Sequence, residues 1–298
     1  MLDALTVSRQ ILEHHAAVFT GFTPLPVPQT ADPDPVYQGA LQATSVLGFV
    51  AHDAQCIAHA WAAQTLRTGQ FSPALWPHDP ADFGMPAWPR ASAFPTCPAR
   101  LGLYAVLPDA EWVGRMARAG VPTVQLRFKS HDAAAIAHEV RAAVKAVQGT
   151  PALLFINDHW RIAIAEGAYG VHLGQEDLDA LSDSELSELR ASGVRLGVST
   201  HGYAEMLRAD RVSPSYIAMG AVFPTTLKLM ATAPQGLARL NAYARLMQHY
   251  PLVAIGGIGE AQFADVRQSG VGSIAVVRAL VAAEDPEQAA RDLMGYLS

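Results

Sequence analysis

Residues 151–177 read PALLFINDHWRIAIAEGAYGVHLGQED, a stretch with two short runs of strand-forming residues separated by a helical segment. The first run ends in Asn157 and Asp158, and the second ends in Gln175, Glu176 and Asp177. Two neighbouring parallel strands need a crossover of this kind, which is usually a helix. The stretch therefore predicts a β-α-β unit with polar side chains after both strands.

The same pattern recurs from Gly102 to the end of the chain. Eight β-branched runs begin, on average about 24 residues apart, near residues 103, 122, 151, 171, 194, 215, 252 and 272. This spacing fits one strand, one helix and two loops. Eight such units in roughly 195 residues predict an α/β protein with a (β/α)8 TIM barrel over residues 101–298. A doubly wound open sheet is the alternative.

A glycine motif tests that alternative. Residues 270–275 read GVGSIA and match G-x-G-x-x-A by letter. A dinucleotide-binding fingerprint must follow a strand and open a helix, whereas this motif precedes a predicted strand. We therefore interpret it as a chance match.

The first 100 residues differ in composition from the rest. Residues 1–70, the extension, are predicted to be mostly helical, because residues 36–68 are rich in Ala, Leu and Val. Residues 71–100, the connector, contain too many prolines for a helix or a central strand. The connector's aromatic residues favour packing on a surface over a free linker. The role of both segments is left open by the sequence.

Composition and charge exclude several classes of protein. Half of the residues are hydrophobic, 16% are charged and the mean hydropathy is +0.15, which excludes intrinsic disorder. A net charge of -6 excludes a general nucleic-acid binder or a binder of anionic membranes. No basic start with a long apolar run is present, so a cytoplasmic location is expected. The helices around a barrel could let copies associate as a homo-oligomer, but no pattern requires it.

Polar side chains alternate along the second predicted strand. Gln125, Arg127 and Lys129 fall on one side of residues 123–129, since side chains alternate between the two faces of a strand. In a barrel that side is the interior or the mouth, because Leu126 and Phe128 must face the helices. The chain has only three lysines, and Lys129 is one of them.

Carboxylates follow the third and fourth predicted strands. Asn157 and Asp158 end one strand, and Asp177 follows the other. Mg²⁺ is commonly held by one or two carboxylates together with substrate phosphates and water. The sequence therefore predicts a magnesium-diphosphate site, although each of these residues could instead cap a helix. His172, on the fourth strand, is more typical of a core histidine than of a catalyst.

The remaining strand ends carry hydroxyls and glycines. Ser199 ends the fifth strand, but no orienting acid or strained elbow marks it as a nucleophile paired with His201. Gly256 and Gly257 end the seventh strand, where backbone N–H groups can approach a phosphate, although a plain turn also explains them. Arg278 follows the eighth strand, predicted over residues 274–277, and could neutralise the same phosphate.

These strand ends together resemble those of thiamine-phosphate synthases over residues 101–298. The matching segments, in chain order, are QLRFK (125–129), FIND (155–158), GVHLGQED (170–177), GVSTH (197–201), FPT (223–225) with Lys228, and AIGGI (254–258). The resemblance implies a transferase that joins 4-amino-5-hydroxymethyl-2-methylpyrimidine diphosphate to a thiazole phosphate, or to its carboxylate, and releases diphosphate. It also implies a dissociative mechanism in which diphosphate leaves before the thiazole nitrogen attacks.

The resemblance also implies roles for individual residues. Asp158 and Asp177 would bind Mg²⁺, and Gln125 would face the pyrimidine. Thr225 would contact the thiazole phosphate or the nearby diphosphate. The diphosphate would be held by Arg127, Lys129, Asn157, Ser199 and Lys228. The catalytic candidates are the same residues without Asn157. The thiazole phosphate would be held by Gly257 and by the end of strand eight, Val277 and Arg278.

Two departures from the family pattern leave alternatives open. Leu227 replaces a threonine and Arg278 replaces a serine, which affects the expected binding of thiazole phosphate more than the class of reaction. One alternative is a thiazole tautomerase-like barrel, and another is a non-catalytic sensor of thiamine precursors. Retention of both aspartates with Arg127 and Lys129 argues against the tautomerase, whose substrate carries no diphosphate.

Overall fold

The computed structural model describes residues 2–225 and 232–297. Within these residues, eight parallel strands pair in sequence order and close into a barrel, since β1 also pairs with β8. The strands are β1 (Gly102–Leu107), β2 (Thr123–Leu126), β3 (Leu153–Asn157), β4 (Gly170–Leu173), β5 (Arg195–Thr200), β6 (Tyr216–Met219), β7 (Leu252–Ile255) and β8 (Ser273–Val276). The predicted TIM barrel is confirmed, and the open sheet is excluded.

Helices follow the strands on the outside of the barrel. They are α4 (Ala110–Arg118), α5 (Ala133–Ala146), α6 (Trp160–Glu166), α7 (Gln175–Ala180), α8 (Asp183–Ala191), α9 (Tyr203–Val212), α10 (Gly236–Leu246), α11 (Phe263–Gln268), α12 (Arg278–Val281) and α13 (Pro286–Gly295). Polar side chains start several of them: Asp109 accepts from the N–H of Trp112 at α4, and Asp132 accepts from Ala134 at α5. Such caps satisfy N–H groups that have no partner within the helix.

Alternation along the strands divides the core into two layers. Tyr104 and Val106 of β1 pack with Phe155 and Tyr216 inside the barrel, whereas Leu103, Ala105 and Leu107 pack with the helices. Period-two alternation produces this division, because successive side chains point to opposite faces of a strand.

The first 100 residues lie against the outside of the barrel. The extension contains α1 (Ala4–His15), α2 (Pro35–Val46) and α3 (Ala51–Thr68). The connector is mostly irregular, with one 3-10 turn over Pro80–Phe83. It contacts the barrel through Phe94, whose backbone N–H donates to Ser213 O at 3.0 Å, and through a buried ion pair of Arg90 and Asp210.

Two predicted strands differ from the observed ones in their bounds. Strand β2 ends at Leu126, so Arg127 and Lys129 follow the strand instead of lying within it. Strand β8 covers Ser273–Val276, so Val277 lies beyond its end. The GVGSIA motif begins before β8, as expected for a chance match. Among the described residues, no helix is both long enough and apolar enough to cross a membrane.

Candidate active site

The predicted site residues of the described chain converge on one end of the barrel. All strands are parallel, so their carboxyl ends meet at the same mouth. Asn157 ends β3, Ser199 lies near the end of β5, and the other candidates lie in the loops or helix starts that follow. Gln125 lies one residue before the end of β2 and is buried in the barrel. Lys228, like Leu227, lies outside the described residues.

Lys129 and Asp158 form an ion pair at this mouth. Lys129 Nζ lies 2.6 Å from Asp158 Oδ2, although the lysine side chain remains 57% exposed. Asp158 has a positive φ of 65°, a conformation that Asp and Asn adopt more readily than most residues. Helix α6 begins after His159 without a side-chain cap, so neither Asn157 nor Asp158 caps it. This removes the helix-capping alternative for both residues.

Asp177, in the first turn of α7, lies beside Asp158. Its Oδ2 accepts a hydrogen bond from the N–H of Gly174 at 2.9 Å, so Asp177 does serve as a helix cap. Burial raises the pKa of the Asp177 carboxyl, and the neighbouring Asp158 carboxyl raises it further, whereas the Gly174 N–H and Lys129 lower it. Two carboxylates in a partly buried site repel each other, and a cation between them would remove that repulsion.

A chain of hydrogen bonds crosses the barrel interior from Gln125 to Ser199. Gln125 Nε2 donates to the Tyr104 hydroxyl at 3.1 Å, and that hydroxyl lies 2.7 Å from the Tyr216 hydroxyl. Tyr216 Oη lies 2.6 Å from His172 Nδ1, and His172 Nε2 lies 2.7 Å from Ser199 Oγ. Burial raises the pKa of both tyrosines, so their hydroxyls stay protonated.

The donor is defined at one end of this chain only. An amide nitrogen only donates, so the Tyr104 oxygen accepts from Gln125. A hydroxyl oxygen can accept a second hydrogen bond, so either tyrosine can donate to the other, and both neutral tautomers of His172 fit its contacts with Tyr216 and Ser199. The chain therefore holds Ser199 in place through His172 in either proton arrangement.

His201 has a different partner. Its Nδ1 lies 2.7 Å from Glu205 Oε2, and the same oxygen accepts from the His201 backbone N–H at 2.9 Å. The prediction that Ser199 and His201 do not form a nucleophile-base pair therefore agrees with the contacts, since Ser199 bonds to His172 instead.

The glycine turn after β7 packs on the loop after β6. Gly257 has a φ of 67°, and a Cβ atom there would overlap the backbone oxygens of Phe223 and Pro224. Phe223 N–H donates to Gly256 O at 2.9 Å. A glycine is required at 257 because both the backbone angle and the close approach exclude a side chain. Thr225 directly follows Pro224, so it lies near this turn.

The other candidate residues differ in exposure. Asn157 is buried, Arg127 is half-buried, and Val277 is half-buried at the start of α12. Arg278 is exposed. Within residues 2–225 and 232–297, neither arginine has an ion-pair partner.

The donor set fits a hard divalent cation. In the described part of the chain, no group of three or more His, Cys, Asp or Glu side chains is arranged to hold a metal. The two adjacent aspartates offer oxygen ligands alone, which suits Mg²⁺ bound jointly with phosphate and water and does not suit a closed zinc site. Asp158 and Asp177 are thus the residues that could hold Mg²⁺.

Tyr104 and Tyr216 are site residues that sequence reasoning missed. Both occupy strand positions whose side chains enter the barrel, where they pack with Phe155. A tyrosine at an inward position of a small barrel was a usable signal, because its buried hydroxyl must find a partner.

The barrel is similar to several known proteins. The family model described as thiamine monophosphate synthase matches residues 103–280. A thiamine-phosphate synthase of Neisseria meningitidis serogroup B is 52% identical over 194 residues, which are 65% of this chain and 93% of that protein. A thiamine-phosphate synthase of Serratia proteamaculans is 47% identical over 201 residues, 67% of this chain and 93% of that protein. The solved structure of a thiamine phosphate pyrophosphorylase from Pyrococcus furiosus is 29% identical, with a TM-score of 0.58 over 66% of this chain and 95% of that one.

Proposed function

The chain belongs to the thiamine monophosphate synthase family, and we propose that its barrel joins the pyrimidine diphosphate to the thiazole phosphate to give thiamine phosphate and diphosphate. The protein is a transferase, and both substrates are small molecules. The observation that carries the assignment is the pair of adjacent carboxylates, Asp158 and Asp177, with Lys129 bonded to one of them. Such a pair suits a substrate whose reacting end is a diphosphate.

The diphosphate is the leaving group, and this chain's own cations and donors stabilise its departure. Lys129 lies beside the aspartates and Arg127 follows the same strand, and Ser199 would present its hydroxyl proton to the diphosphate when His172 Nε2 donates to its oxygen. Asn157 adds an amide at the end of β3. Groups already aimed at developing negative charge stabilise a transition state without reorganising. Mg²⁺ held by Asp158 and Asp177 would supply Lewis-acid stabilisation of the same oxygens.

The buried chain explains how Gln125 would recognise the pyrimidine. Its Nε2 is held by the Tyr104 hydroxyl, so the amide cannot rotate freely and its oxygen keeps one direction. A fixed acceptor suits the exocyclic amino group of the pyrimidine, because a donor at that position would be left unpaired if the amide turned over. The chain links this end to Ser199 at the diphosphate end.

The thiazole phosphate would lie over the glycine turn. Gly257 offers a backbone without a side chain, Thr225 directly follows Phe223 and Pro224, which pack on this turn, and Arg278 supplies a positive charge after β8. The thiazole nitrogen then attacks the methylene carbon from which the diphosphate has departed. The barrel contributes by holding the two reactants in register, since orientation alone removes several kcal/mol from a bimolecular barrier.

Product formation with and without metal tests this proposal. Purified protein is given both substrates with Mg²⁺ or with EDTA, and diphosphate and thiamine phosphate are measured together. We expect equal amounts of both products, formed only with Mg²⁺. Binding of thiazole phosphate without any product would favour a tautomerase-like barrel or a sensor and would contradict the synthase assignment.

A further inference from the structure

Asp53, in helix α3 of the extension, caps a helix of the barrel. Its Oδ1 accepts a hydrogen bond from the Ala204 N–H at 2.8 Å, in the first turn of α9, across 151 positions of sequence. The Asp53 residue is only 5% exposed. A carboxylate at this place satisfies an N–H group that the helix itself leaves without a partner.

Gly202 lets the carboxylate approach this closely. The residue immediately precedes α9, and a Cβ atom built on it would overlap Asp53 Oδ2. The carboxylate of Asp53 therefore lies directly against the backbone of the loop between β5 and α9. Any larger residue at 202 would have to displace it.

Tyr203, the first residue of α9, is held by the connector. Trp76 Nε1 donates to the Tyr203 hydroxyl at 2.9 Å, and Phe83 stacks on the tyrosine ring at 5.4 Å with an interplanar angle of 3°. The tyrosine is completely buried. Three consecutive residues, Gly202, Tyr203 and Ala204, thus contact the first 100 residues.

The extension also reaches the loop after β6. Arg239 of α10 donates to Leu47 O at 3.1 Å, and its guanidinium lies between the rings of Phe22 and Phe49. Arg239 also contacts the side chain of Gln235, whose backbone N–H donates to Ala221 O at 2.8 Å. Gln235, which lies just before α10, is thereby tied to the extension.

We propose that Asp53 is a positioning residue for the barrel's reaction, holding the β5–α9 loop so that Ser199 keeps its place at the diphosphate. Ser199 lies only three residues before Gly202, so a displacement of the first turn of α9 reaches it through Thr200 and His201 alone. The inference rests on the proposed function. The family model begins at residue 103, so this contribution comes from outside the matched region.

Arg90 and Asp210 offer a matched control at the opposite end of α9. Arg90 Nη2 lies 2.9 Å from Asp210 Oδ2, and both side chains are buried. This pair also joins the first 100 residues to α9, but it lies at the end of the helix far from the barrel mouth. Loss of the pair should destabilise the same interface without moving Ser199.

The experiment compares wild-type protein with Asp53→Ala, Asp53→Asn, Gly202→Ala and Arg90→Met. Steady-state kinetics are measured with both substrates, and calorimetry measures the binding of inorganic diphosphate with Mg²⁺. For Asp53→Ala we expect diphosphate affinity and kcat/KM for the pyrimidine diphosphate to fall about 10-fold or more, because small misplacements of positioning groups are costly. Asp53→Asn retains an acceptor oxygen and should stay within about 2-fold of wild type. Arg90→Met should lower Tm and leave both constants unchanged.

The outcomes separate the inference from the proposed function. An inactive wild type that binds no diphosphate overturns the proposed function itself. An active wild type, with Asp53→Ala matching Arg90→Met in affinity and kinetics, overturns the positioning role. If Asp53→Ala does not fold, Gly202→Ala is decisive, because it displaces the same carboxylate from the barrel side and should cause the same loss of diphosphate affinity. Unchanged affinity in folded Gly202→Ala would contradict the inference.

Discussion

Replacing Asp53 by Asn should remove a pH dependence of stability that this buried carboxyl creates. Burial raises the pKa of Asp53 from 3.8 to about 6. The Ala204 N–H, Arg239 and His52 lower it and Glu205 raises it, but desolvation is the largest effect. An asparagine has nearly the same shape and no ionisation in this range. The difference between the two proteins therefore isolates the titration of one group.

The sign and size of the effect follow from the two pKa values. Because the folded value is raised, the stabilising contribution is complete below pH 3.8 and is lost as pH rises through about 6. A difference of about 2 pKa units corresponds to about 3 kcal/mol over the whole range. Between pH 4.5 and pH 8 the change is about 2 kcal/mol, because an unfolded carboxyl is already mostly ionised at pH 4.5.

Urea unfolding followed by circular dichroism measures the effect. The free energy of unfolding is determined for wild type and Asp53→Asn at several pH values from 4.5 to 8. Relative to the variant, wild type should lose about 2 kcal/mol as pH rises across this range. A constant difference between the two proteins, within the error of the linear extrapolation, would refute the reasoning. A wild type that gains stability relative to the variant would refute it as well.

Three further substitutions test the barrel site. Asp158→Asn should abolish turnover and leave the far-ultraviolet spectrum unchanged, because asparagine tolerates the positive φ. Glu176→Gln, at an exposed neighbouring position, should retain turnover. Activity in Asp158→Asn would remove the metal assignment. Tyr216→Phe leaves buried polar groups unpaired, so it should lower the free energy of unfolding by about 1–3 kcal/mol and raise KM for the pyrimidine diphosphate. Tyr250→Phe loses a buried hydrogen bond to Asp210 at the other end of the barrel and should lower stability only. Equal KM values in the two variants would contradict the role of the hydrogen-bond chain. Arg278→Ser should raise KM for thiazole phosphate more than KM for the diphosphate substrate, and a larger effect on the diphosphate substrate would place Arg278 elsewhere.

The barrel and most of its mouth could be predicted because they depend on local patterns. A β-α unit of about 24 residues places the next strand parallel to the one before it, and eight such units close into a barrel. Once the strands are parallel, a polar residue at a strand end must lie at the mouth, as Asp158 and Ser199 do. The ends of β2 and β8 were less predictable, since the alternation of residues 123–129 continues beyond the last paired residue, Leu126.

The hydrogen-bond chain and the Asp53 cap depend on contacts that no local pattern contains. Tyr104 and Tyr216 are 112 positions apart, and each alone is typical of an ordinary core tyrosine. Asp53 falls among mostly apolar residues on the buried face of α3, and its partner N–H is identified only when that helix is placed on α9. Period and composition predict which face of a helix is buried, but they do not specify which surface covers it.

The local charge at the barrel mouth supports the proposed metal site. Asp158 and Asp177 offset Arg127 and Lys129 at the mouth, so these four residues contribute no net charge toward a diphosphate ester that carries roughly -3. If cations alone held the leaving group, the aspartates would weaken its binding, and a site for diphosphate would be better without them. A divalent cation held by Asp158 and Asp177 would convert the aspartates from opposing charges into ligands, and their presence beside the lysine supports the proposed Mg²⁺ site for that reason. The acidic pair is therefore stronger support for magnesium-assisted departure of diphosphate than the basic residues around it.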